Sequence, residues 1–210
     1  MTGLLTLANI QHQWPHGDQH VHGLIEGMAA SSDAVFAKYG ITTKLVVAHL
    51  MGQFSLECGA GLEMEENLNY TAVRLRQVFP THFTASMAQN AAHNPRRIAD
   101  IAYGGRMGNA RPPSDDGWNF RGRGLSQTTG KEGYQHLAAK TGLDLIAHPE
   151  LLSDPDHALE CGVADFILCG CLPYAQRDDL LGVTKRLNGG YNGLADRRTW
   201  TARWKHELGV

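Results

Sequence analysis

The chain has 210 residues, of which 42% are hydrophobic and 19% charged, with a formal net charge of −2. This is the make-up of one folded domain, or one domain with a small subdomain. It excludes an intrinsically disordered chain and the strong basic excess of a nucleic-acid binder. No apolar run reaches the roughly 18 residues that a membrane span needs, so stable membrane insertion is not expected.

The segment Met1 to Ile10 lacks Lys and Arg, and so lacks the charged start of a secretory signal. The expectation is a protein made in the cytoplasm. Residues 1–30 are irregular and hold several His and Gly; they are expected to form an N-terminal arm or short helix ahead of one domain over 31–210. Ser31 or Ser32 can cap a helix that Gly40 ends. Thr42 or Thr43 can cap the next, which runs through about Leu56 and stops at Gly59 with Glu57 in its last turn. Its stretch from Lys44 to Met51 is apolar nearly all round, the pattern of a buried helix. Thr71 to Phe79 predicts a third helix, closed by Pro80. Further helices are expected over about 84–92, 96–103, 131–140, 155–168, 177–187 and 195–207. Between them, Gly104 to Gly130 carries no helical or strand period, and long loops of that kind are usually functional. At most one short hairpin is expected there, so the fold class is mainly α. Cys58, Cys161, Cys169 and Cys171 contain no Cys-x-x-Cys pair. They read first as reduced structural thiols, with a disulfide second and a metal site last.

Glu57 is the first chemical candidate. A carboxylate at the C-terminal end of a buried helix meets desolvation and the negative end of the helix dipole, and both raise its pKa toward that of a general acid. The commoner fate of such a residue is a solvated Glu beside a cap. After the Gly59-Ala60-Gly61 turn come Glu63, Glu65 and Glu66. A reversal at those glycines can bring one of these carboxylates opposite Glu57, and an inverting glycosidase needs two carboxyls roughly 6.5–9.5 Å apart. The plain alternative is an acidic, solvated loop. Gly122 to Gly130 offers close backbone approach with Gln127 and Thr129 as polar groups, and lacks the Gly-Lys-Ser/Thr ending of a phosphate loop. Asn188-Gly189-Gly190-Tyr191-Asn192-Gly193 is a helix-ending turn with two amide side chains.

Taken in order, these runs resemble glycoside hydrolase family 19, which holds chitinases and a branch of phage endolysins. The matching runs are Ser55-Leu56-Glu57-Cys58-Gly59, Glu66-Asn67-Leu68-Asn69-Tyr70, Arg106-Met107-Gly108-Asn109, Asp116 to Gly124, Gln127-Thr128-Thr129-Gly130, and Asn188-Gly189-Gly190 with Asp196-Arg197-Arg198. The likeness is greatest to the endolysin branch and spans Val46 to the C-terminus. It implies a lysozyme-like, two-lobed helical fold with a central cleft and little strand. It implies an inverting hydrolysis of peptidoglycan glycan strands without metal or organic cofactor. In that scheme Glu57 is the acid, Glu66 the base and Thr129 the hydroxyl that holds the water. Gln127, Asn188, Tyr70, Trp118 and Arg123 are then candidate substrate contacts. Trp118, Phe120 and Tyr191 can each stack on a sugar or fill minor core, His49 reads as a core histidine, and Arg197 or Arg198 can brace the base. Two positions depart from the family pattern: Leu56 stands where a His precedes the acid, and Gly133 where an Asn precedes Tyr134.

Three other readings compete: a chitinase, a lytic transglycosylase that uses Glu57 alone, and a wall-binding module without activity. The expected partner is peptidoglycan or a chitin-like polysaccharide, with no nucleic acid and a monomeric protein. The expected place of action is the periplasm or cell wall after release from the cytoplasm.

Overall fold

The computed structural model describes residues 3–210, and its helices begin and end on local signals in the chain. Thr6 opens α1 (Leu7–Gln13): its side chain accepts from the Asn9 amide, and the Asn9 side chain accepts from the Thr6 amide. Helix α2 (Leu24–Tyr39) starts after Gly23 and ends at Gly40, both in the left-handed region. Ser31 and Ser32 therefore lie inside α2 and do not cap it. Their hydroxyls donate back to the carbonyls of Gly27 (2.8 Å) and Ala29 (2.9 Å), as serines in helix interiors do. The boundary expected at residue 30 falls within this helix. Of the two expectations for the N-terminal segment, residues 3–30 follow the short helix, α1, and not the loose arm: Ile10, Trp14, Leu24, Ile25 and Met28 are all buried.

Thr43 caps α3 (Lys44–Glu57) by accepting from the Val46 amide, and Val46 through Ser55 are buried, as the apolar pattern predicts. Thr71, Thr84 and Asn94 cap α4 (Ala72–Val78), α5 (Ala85–Ala91) and α6 (Pro95–Tyr103). The stretch expected to be irregular holds one short helix, α7 (Asp116–Asn119). It also holds two isolated bridges, Glu65 with Arg123 and Arg123 with Thr128; no strand occurs among the described residues. Then follow α8 (Lys131–Thr141), α9 (Ala158–Leu168) and the unexpected α10 (Leu172–Gln176). Helix α11 (Leu180–Asn188) starts later than the expected 177, because Asp178 is left-handed (φ 60°) and Asp179 caps the helix. Helix α12 (Leu194–Leu208) closes the chain. No helix among the described residues is long and apolar enough to cross a membrane.

The chain forms two compact units. The first runs through Met64 and adds Gly124–Gln127 and Glu150–Val210; the second comprises Glu65–Arg123 and Thr128–Pro149. In the first, α3 lies along α12. A Cβ on Gly52 would stand 2.4 Å from Thr201 Oγ1 and 2.9 Å from Thr201 Cα, so glycine is what permits this approach. One turn on, the Ser55 hydroxyl accepts from the indoles of Trp14 and Trp204, each at 2.8 Å. The two rings meet edge to face with centroids 6.4 Å apart. His49 is a core histidine: it is fully buried, and its Nε2 lies 2.7 Å from Asp178 Oδ1. Burial holds its pKa below the usual imidazole value, opposed by Asp178. The four cysteines are free thiols, and burial pushes the Cys58 thiol up to about 12. The second unit has its own core, built from Leu68, Leu75, Phe83, Ile98 and the small residues Ala88, Ala91, Ala99 and Ala102.

Candidate active site

Glu57 is the last residue of α3, in the first unit, and its side chain is 21% exposed. Its Oε1 accepts from Arg197 Nη2 at 2.6 Å. Arg197 is buried, and its other donors are engaged as well: Nη1 gives to Gln53 Oε1 (2.6 Å) and Nε to the Asn192 carbonyl (3.0 Å). Gln53 lies one helical turn before Glu57 and donates to Thr184 Oγ1 at 3.3 Å. A guanidinium held at three points can offer a carboxylate only one geometry, so the network fixes the Glu57 rotamer. Glu57 thus meets, beside the helix end that its position in the chain predicts, a cation that the local sequence does not show. Arg197 does brace a carboxylate, but the partner is Glu57 and not Glu66.

Glu66 lies in the second unit. Its Oε1 accepts from Tyr103 Oη at 2.7 Å and its Oε2 from the Gly122 amide at 3.3 Å, while the Glu66 amide donates back to the Gly122 carbonyl at 2.8 Å. Burial raises its carboxyl above the ordinary value, and Tyr103, the Gly122 amide and the Arg121 charge oppose that rise. Its neighbour Glu65 is different. It pairs with Arg121 Nη2 and with Arg123 Nε (2.9 Å). Both arginines are buried, and Glu65 is the carboxylate that pairs with each of them. Glu63 is exposed, and its carbonyl accepts from the Gln127 side chain.

The other candidates separate into groups. Thr129 is half-buried and shares the second unit with Glu66. The residue before it, Thr128, exchanges both backbone hydrogen bonds with Arg123 (3.0 and 3.2 Å). Gln127 has φ 53°, and its side-chain amide donates to the carbonyls of Glu63 (2.8 Å) and Gly124 (3.1 Å). Asn188 ends α11 and donates to Asn192 O (3.3 Å), the same carbonyl that receives Arg197 Nε. Tyr70 is half-buried, edge-on to Phe79. Tyr191 is 53% exposed. Arg123 is buried, and its bonds go to Glu65, to the Asn119 carbonyl and to Tyr134, so it is a structural brace and not a surface for substrate. Phe120 is core, 5.2 Å from the Tyr134 ring. Trp118 has the Arg121 guanidinium carbon 3.8 Å from its ring centroid, which takes one face from any sugar.

The two departures from the family pattern have local accommodations. Leu56 packs at the turn before α12, where a Cβ on Gly193 would stand 2.7 Å from Leu56 Cδ2. A Cβ on Gly133 would lie 3.0 Å from the Thr128 methyl, so the small residue gives Thr128 its room. Tyr103 and Gln53 were not legible as site residues. Tyr103 reaches Glu66 only through folding, and Gln53 acts on Glu57 only through Arg197, which α12 brings to it.

No family model matches the chain. It is 30% identical over 198 residues to a glycosyl hydrolase family 19 domain-containing protein of Haemophilus influenzae, covering 94% of each. Among solved structures it resembles chitinase C of Streptomyces griseus, with a TM-score of 0.66 and 16% identity over 100% of this chain and 95% of that one. It also resembles the class IV chitinase of Zea mays, with a TM-score of 0.61 and 13% identity over 99% and 94%. The structural likenesses show a shared helical fold. The sequence identity, sustained over almost the whole of both chains, shows descent, and the chain belongs to glycoside hydrolase family 19 and is a glycoside hydrolase.

Proposed function

We propose that the protein is an endolysin-type hydrolase of peptidoglycan glycan strands that inverts configuration at the cleaved bond. Glu57 gives its proton to the leaving glycosidic oxygen. Glu66 takes a proton from the attacking water, which Thr129 helps to hold, and the water oxygen bonds to the anomeric carbon from the opposite face. The ionised Glu66 also opposes the oxocarbenium-like charge of the transition state. The observation that carries the reading is that the two carboxylates of the family-like runs are each partly accessible and each held by fixed donors, Glu57 by Arg197 and Glu66 by Tyr103 and Gly122. Glu65 has both oxygens engaged by Arg121 and Arg123, and Glu63 is exposed. A base whose carboxyl is raised by burial stands closer to working pH and abstracts a proton more readily. The runs Glu66 to Tyr70 and Arg106 to Asn109 favour the endolysin branch and a peptidoglycan substrate. In this reading Gln127, Asn188, Tyr70 and Trp118 are the candidate sugar contacts. The protein acts as a monomer on the wall after release from the cytoplasm.

A chitinase is the second reading, favoured by the solved structures of similar fold, which are chitinases. Lysis of outer-membrane-permeabilised Gram-negative cells, with mass spectrometry of the fragments, separates the two. Reducing-end muropeptides from wild type, absent with Glu57→Gln, support the endolysin. Inert cell walls with hydrolysis of chitin oligomers select the chitinase. Anhydro ends would establish a transglycosylase in place of both.

A further inference from the structure

We propose that Tyr103 is a positioning residue for the reaction, holding Glu66 in the orientation and ionised form in which it acts on water. The inference rests on Glu66 being the base. The groups that face this carboxylate are few. Tyr103, the last residue of α6, donates its phenol proton to Oε1 at 2.7 Å. The 121–122 segment supplies the Gly122 amide to Oε2 and the charge of Arg121, which also pairs with Glu65. Tyr103 thus hydrogen-bonds Glu66 directly through its side chain. A phenol donates only one proton, so it fixes Oε1 and leaves the remaining lone pairs of Oε2 directed elsewhere.

The phenol is itself held. Its ring meets Phe79 edge to face, with centroids 6.0 Å apart. The Arg106-Met107-Gly108-Asn109 run, which the hydrolytic scheme leaves without a role, fixes it from the backbone side. Asn109 is buried; its Nδ2 donates to the Tyr103 carbonyl at 3.1 Å, and its Oδ1 accepts from the Lys131 amide at 2.9 Å. The Met107 carbonyl accepts from the Glu132 amide at 3.0 Å. Gly130 has no side chain with which to cap α8, so this turn caps it instead. One asparagine therefore ties the residue that holds Glu66 to the residues directly after Thr129. Burial and a carboxylate partner both raise the Tyr103 phenol above its usual range, so it stays a donor throughout the working pH.

The test is the pH dependence of kcat/KM for Tyr103→Phe, which keeps the ring on Phe79 and removes the donor. A hydrogen bond to an ionised group favours the ionised form, so its loss should move the acid limb upward by about one pH unit. Melting should change little. A folded Tyr103→Phe with the wild-type acid limb overturns the inference. Wild type labelled at tyrosine Cζ gives a second reading that needs no variant. One of the six tyrosine resonances should titrate with the midpoint of the acid limb, and none doing so also overturns it. Glu66→Gln distinguishes the underlying reading: if that variant turns over normally, Glu66 is not the base. If it is inactive and Tyr103→Phe is unshifted, only the role of Tyr103 fails.

Discussion

Replacing Arg197 with Met removes a guanidinium that is 3% exposed while keeping most of its volume. Three bonds go, to Asn192 O, Gln53 Oε1 and Glu57 Oε1. The Asn192 carbonyl keeps Asn188 as a donor, and Glu57, 21% exposed, regains water. Gln53 is fully buried, and its Oε1 is left with nothing. A stranded buried acceptor costs about 1–3 kcal/mol, and the lost bond to a partly solvated Glu57 adds about 1 kcal/mol once screening is counted. The sum centres on about 3 kcal/mol, which in a chain of this size lowers Tm by about 6–12 °C. Urea unfolding measures the first quantity. Glycan hydrolysis below both melting transitions measures the second effect, a kcat reduced by about 100-fold because the acid has lost its fixed geometry. Adding Gln53→Met removes the stranded acceptor, so the double variant should recover stability and not activity. A stability change under about 0.5 kcal/mol with undiminished turnover would refute the reasoning.

Three further outcomes follow from the same geometry. Glu66→Gln should abolish turnover and yet melt at or above the wild-type temperature at pH 7. Burial raises the Glu66 carboxyl in the folded protein, so the folded state keeps that proton to higher pH than the unfolded chain, and stability falls as pH rises through the raised value. Glutamine cannot ionise, so its advantage should vanish by about pH 4, where the unfolded carboxyl is protonated too; melting curves at the two pH values check this. Gly52→Ala drives a methyl to 2.4 Å from Thr201 Oγ1, and should cost about 1–3 kcal/mol in urea unfolding while also weakening hydrolysis through the displaced Arg197. Ser55→Ala strands the buried indole donors of Trp14 and Trp204, and should cost about 2–5 kcal/mol with little effect on KM.

What the chain determined by itself is local. Thr43, Thr71 and Thr84 stand where helices start, Gly40 where one stops, and an all-apolar run from Val46 predicts a buried α3, because caps and periodicity act within a few residues. The order of the short polar runs also carries the family. Helix α2 starts earlier than Ser31 and Ser32 suggest, because serine hydroxyls bond equally well to carbonyls inside a helix. The roles around the carboxylates were decided by tertiary structure alone. Glu65 and Glu66 are adjacent and alike in sequence, yet one pairs with Arg121 and Arg123 while the other is held by Tyr103. Arg123 reads as a substrate contact in a Gly-rich loop and proves to be buried; Arg197 reads as a brace for the base and is bound to Glu57. Charge pairing and burial depend on which distant segments fold together, and no local pattern in the chain encodes that.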